Sequence, residues 1–366
     1  MTTMIDWDLA VSTGSALAGP GPAITPDQAD AVVGELRAGA ERSSPLVRDF
    51  TGMSVTAADD LSAAAPVLVV DRLGWIQANA DAFASVMSPL IEKLQAKRHR
   101  PDRPGSTGSS GNLGSTVTDA VGSKLTGLEV GGLLGFLSSK VLGQFDPFFP
   151  PTGRLLLVAP NIVHVERELD VDAADFRLWV CLHEETHRVQ FTAVPWLRDH
   201  IHEQIGQLVG SVDLDPSRIA AVLGEGVRRI GEVVRGDSEV SIVELFSSPE
   251  QREVLDRLTG VMSLLEGHAD VVMDGVGPEV IASVAAIRAK FDRRRKSGSG
   301  YLDRVLRRLL GLDAKMAQYR DGAAFVRAVV DRVGMDGFNA VWTDPQHLPS
   351  KQEVLAPDTW VRRVHG

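Results

Sequence analysis

The most restrictive feature of this chain is the segment His183-Glu184-Glu185-Thr186-His187, because of the pattern it interrupts. Phe176, Trp179, Val180, His183 and His187 recur at the 3.6-residue spacing of a single helix face. Residues four apart on a helix stand one above the other. Two imidazoles therefore share a stripe with three large apolar side chains and point the same way, into the protein. A buried imidazole pair needs partners for its ring nitrogens. Any fold of this chain must bring polar groups or a metal ion against that stripe. The helix carrying it is expected from Ala173 to about Phe191, capped by Asp172 or Asp170 and finished before Pro195.

Two imidazoles at this spacing can hold one zinc ion from one side, each Zn–N bond about 2.0–2.1 Å. Glu184 lies on the flank of the same face, where its carboxylate can take the proton of an attacking water without binding the metal. A catalytic zinc needs a third protein ligand. A third histidine on the same helix is excluded, since the glycine slot of that extension is Gln190 and its histidine slot is Ala193. The gluzincin solution is a glutamate on a later helix. Glu266 fits, being a carboxylate on a stripe with Leu255, Leu258, Met262, Ala269 and Asp270. Asp270, one turn on, is placed to accept the second N–H of a ligand histidine. His268 is a rival ligand, or points to the substrate side toward a carbonyl oxygen. Tyr319 is a candidate donor to the oxyanion. Cys181 lies off the metal face and serves packing.

Bland alternatives accompany each assignment. Two core histidines can bond backbone carbonyls, and Glu266 can pair with an arginine. A carboxylate-bridged di-iron bundle wants Glu-x-x-His pairs, and Glu266-Gly267-His268 has the wrong spacing for it.

The rest of the chain reads as mainly helical. Aromatics make up 5% of 366 residues, so Leu, Val and Ala build most of the core. Thr25 caps a helix whose first residue is Pro26, and Asp71–Leu94 continues in helical style. Pro101 to Thr116 is Pro, Gly, Ser, Asn and charge, a flexible loop or linker between an N-terminal helical region (1–100) and a main domain (117–366). Val117–Gln144 reads as a buried helix whose glycines admit a close neighbour. Arg154–Val158 is the best strand candidate. Further helices are expected at Ile201–Val209, Pro216–Val234, Pro249–Met273, Tyr301–Leu310 and Ala314–Arg332, before an irregular tail from Asp344.

Net charge is −10 with no basic stripe, which argues against nucleic acid; Arg293–Lys296 reads as a solvated loop. The longest apolar runs are too short to cross a bilayer. One cysteine and an acidic N-terminus without a signal pattern point to the reducing cytoplasm.

The chain resembles the zincin-like metallopeptidases of type 2, a mostly actinobacterial group often labelled with deazaflavin-coenzyme biosynthesis. The resemblance is carried by Val70–Asn79, Val141–Asp146, His183–Phe191, Leu265–Asp274, Lys315–Arg320 and Phe338–Trp342. It implies a mainly α fold with a small β-sheet, and zinc at His183, His187 and Glu266. It implies no known substrate. The expectation is a zinc hydrolase acting on a peptide or protein, laid along Arg154–Val158 as an edge strand. The alternative is a zinc-stabilised scaffold, for which Glu184 would have no purpose.

Overall fold

The computed structural model describes residues 5–53, 65–98, 112–210, 249–297 and 312–366. It is mainly helical with one three-stranded sheet, and its residues gather into two compact units. The region 1–100 is divided between them.

The first unit holds α1 (Trp7–Leu17), α3 (Arg72–Arg98) and α4 (Asn112–Ser138). Helix α1 begins at Asp6, whose carboxylate accepts from the Leu9 N–H at 3.0 Å. Helix α4 contains the glycine-spaced stretch. A Cβ on Gly131 would lie 2.5 Å from the Ala10 carbonyl oxygen, and one on Gly135 would lie 2.7 Å from that of Gly14. The glycines thus let α4 and α1 touch backbone to backbone. Residues 112–116, expected in the loop, already form the first turns of α4, while 101–111 lie outside the described residues. No described helix is long and apolar enough to cross a membrane.

The second unit is built around α6 (Ala173–Ala193). Helix α2 (Pro26–Thr51) starts with a reciprocal capping box between Thr25 and Gln28 and packs along α6. The sheet has the order β1 (Val67–Val70), β3 (Arg154–Val158), β2 (Gly143–Asp146), with β1 parallel and β2 antiparallel to β3. Strand β3 is wholly buried and is the centre of the sheet, not its edge. Both sides of its backbone are paired, so no peptide can add to it. Strands β1 and β2 are the edges.

Helices α5 (Ala159–Leu169) and α7 (Pro195–Gly210) flank α6. Then follow α8 (Pro249–Gly275), α9 (Val284–Ser297), α10 (Leu312–Phe338), α11 (Lys351–Leu355) and α12 (Pro357–His365). Arg293–Lys296 is therefore helical, with Arg294 reaching Glu168 at 3.0 Å. The tail is ordered as well: Ser350 and Glu353 form a capping box for α11, and Pro357 opens α12 instead of breaking it. Its Trp360 is fully buried against Phe325. The helices expected at Pro216–Val234 and Tyr301–Leu310 lie outside the described residues.

Helix α6 buries Phe176, Trp179 and Val180 as its periodicity requires. On another face the Cys181 thiol rests on the Leu36 carbonyl oxygen at 3.6 Å. Helix α8 packs between α6 and α10, and its crossing with α10 is made by glycine. A Cβ on Gly267 would sit 2.2 Å from the Gly322 carbonyl carbon. Gly267→Ala should therefore lower stability by about 1–3 kcal/mol through overpacking. Gly206→Ala, on α7 with nothing within 4 Å of the new Cβ, should leave stability unchanged or raise it by up to about 1 kcal/mol through helix propensity. Thermal or urea unfolding of the two variants checks these opposite signs.

Candidate metal centre

Asp172 starts α6 by accepting from the Asp175 N–H at 2.9 Å. Asp170, the other candidate cap, closes α5 in a left-handed conformation with φ 49°. Three turns into α6, His183 and His187 stack one above the other, their rings edge to face with centroids 4.8 Å apart. Their Nε2 atoms are 3.3 Å apart. Glu266 arrives from α8 and places one carboxylate oxygen 3.5 Å from His183 Nε2 and the other 3.6 Å from His187 Nε2.

This triangle fits a zinc ion. Two nitrogens bound tetrahedrally at about 2.0–2.1 Å stand roughly 3.3 Å apart, which is the spacing found. Two imidazoles and one carboxylate are also the donor types zinc prefers, with a fourth position left over. The three residues form a group whose ligand atoms all lie within 4.8 Å of one another.

Glu184 is buried and stands outside this donor group. Its carboxylate lies against Gly143 at the start of β2, where an added Cβ would meet the Glu184 Cγ and Cδ at 2.5 and 2.6 Å. Only glycine leaves room for the acid there. Burial pushes the Glu184 carboxyl up to about 7, with His183 pulling down and Glu266 pushing up. Burial depresses His183, but the hydrogen bond it donates to Glu266 and the charges of Glu184, Glu266 and Asp270 outweigh it, leaving it above its ordinary value. His187 is held below its ordinary value, first by burial.

The outer contacts differ from expectation. Asp270 accepts from Arg288 at 2.9 Å, in a cluster with Asp274, and makes no hydrogen bond to either histidine among the described residues. Its helical register was right for the face, but an arginine from α9 takes the carboxylate. His268 is fully buried between Phe338 and Trp342, with ring centroids 5.3 and 5.4 Å away, so it cannot meet a substrate. Burial first, and His187 second, hold it neutral with a pKa of about 3. Tyr319 lies on α10, and its side chain is outside the described residues.

The place expected for Asp270 is filled by Gln190, which the sequence offered only as a mismatched slot. Gln190 is fully buried. Its Oε1 accepts from His187 Nδ1 at 2.9 Å, and its Nε2 donates to the Leu265 carbonyl and to His268 Nδ1, each at 3.0 Å. With the proton on Nδ1, the lone pair of His187 Nε2 faces the cluster. The same amide ties α6 to the residue before Glu266. Its position three residues after His187, on the same face, was the legible signal.

A family model described as zincin-like metallopeptidase matches residues 5–361. The structure is similar to a crystal structure from Chloroflexus aurantiacus, described as a candidate hydrolase with a novel fold. The two share 30% identity over 99% of each chain, with a TM-score of 0.67. No curated protein matches the chain.

His183→Ala, His187→Ala and Glu266→Ala should each lose most of the bound zinc after dialysis. Gln190→Leu should keep a folded chain but weaken metal affinity by roughly 10- to 100-fold, as loss of an orienting hydrogen bond does. Chelator competition measures both.

Proposed function

This chain belongs to the zincin-like metallopeptidase family, and from that premise we propose that it is a zinc-dependent hydrolase that cleaves peptide bonds. The observation that carries the proposal is the position of Glu184: beside the three donors, outside their group, and walled by Gly143. A site that used metal only as a staple would have no need of a buried carboxylate there.

A bound zinc ion would polarise a carbonyl and lower the pKa of water to roughly 7. His183, His187 and Glu266 would hold it. Glu184 takes the proton from the attacking water and hands it to the departing amine. Strand β2 is an edge of the sheet and begins at the residue touching Glu184. We place the substrate backbone along that strand, in extended form, in place of β3.

Glu184→Gln keeps the shape but cannot accept a proton. It should retain zinc and melting temperature, while hydrolysis of a fluorogenic peptide library falls by roughly 10²–10⁴-fold. Loss of zinc in this variant would make Glu184 a ligand, and an inactive wild type that unfolds on zinc removal would make the site structural.

The pH dependence follows from the same group. A general base works deprotonated, so kcat/KM should fall as pH drops through the Glu184 pKa. A cation at the cluster lowers that pKa, so the acid limb should lie at or below about 7. A limb well above 7 would contradict the assignment.

A further inference from the structure

Next to His183 and Glu184 the second unit contains a cavity of about 160 Å³. Its other walls are Leu142, Trp179, Val180, Met273 and Phe291, drawn from α6, α8, α9 and the residue before β2. An apolar cavity of about 150 Å³ is large enough for benzene. Phe291 stands edge-on to Trp179 with centroids 5.1 Å apart, so two rings set the shape. Trp179 is 2% exposed, and its indole N–H has no acceptor among the described residues.

The charge of the walls restricts any occupant. An acidic group would enter beside the Glu184 carboxylate, which repels it. A cationic group would pair with Glu184 and occupy the base that has to take a proton. The nearby Arg288 is committed to Asp270 and Asp274, at 2.9 and 2.8 Å, and is not a lining residue.

We propose that this cavity is the specificity pocket of the enzyme, and that it takes a neutral, bulky apolar side chain of the substrate residue adjoining the scissile bond. The proposal rests on the hydrolase reading above and narrows it to one substrate class.

The test uses the zinc-loaded full chain and three small hydroxamic acids sharing one metal-binding group. Phenylacetohydroxamic acid should bind at least about tenfold tighter than acetohydroxamic acid, since its ring leaves water for the cavity. Succinic monohydroxamic acid, which carries a carboxylate, should show no such gain. Phe291→Ala, at a half-buried wall, should lose most of the phenyl preference while acetohydroxamic acid binds as before. Val180→Phe, which fills the cavity, should do the same and guards against misfolding of the first variant. Equal affinity for all three compounds in the wild type would overturn the pocket and leave the metal site standing. Failure of every compound to bind would remove the metal site and the pocket together. Selective binding without cleavage of peptides containing Leu or Phe would uphold the pocket and sink the peptidase assignment.

Discussion

Two imidazole nitrogens 3.3 Å apart, each about as close to a carboxylate oxygen, make a cluster that could hold a cation at its centre. The carboxylate brings a charge that burial disfavours, and a cation bound between the three groups would offset it. Much of the second unit can be understood as the means of holding this unfavourable triangle in place. Helix α6 supplies two donors from a face whose other residues anchor it in the core. Helix α8 supplies the third. The Gln190 amide joins the two helices by bonding His187 on one side and the Leu265 carbonyl on the other.

Glycine decides how closely the elements approach. Gly267 and Gly322 let α8 meet α10 at the turn that carries Glu266, and Gly143 lets β2 pass the carboxylate of Glu184. In each place a methyl group would overlap backbone or the acid itself. The residues bordering the chemistry are therefore partly specified by the space they leave empty, which alanine would already fill.

The fold class and the meeting of His183, His187 and Glu266 were legible because both rest on local rules. Periodicity places His183 and His187 on an inward face, Thr25 and Pro26 announce α2, and a carboxylate on the apolar stripe of α8 singles out Glu266. What escaped depends on contacts distant in sequence. Val67–Val70 is too short to announce itself as a strand, yet its pairing turns Arg154–Val158 from an edge into a centre. Asp270 lies on the right side of its helix, but Arg288, eighteen residues on, decides what it binds. His268 was misplaced because a helical wheel gives direction and not depth, and Phe338 and Trp342 close over it. The proline-rich tail looked irregular because prolines that begin helices resemble prolines that end them.

Crystallography at the zinc absorption edge would show whether His183, His187 and Glu266 together hold one zinc ion. Anomalous difference maps of the zinc-loaded protein should show one strong peak, within about 2.0–2.2 Å of both Nε2 atoms and a Glu266 oxygen. Glu184 should be near the peak without ligating it. A peak liganded by His268, Asp270 or Cys181, or no peak at this triangle in protein that carries zinc, would contradict the account.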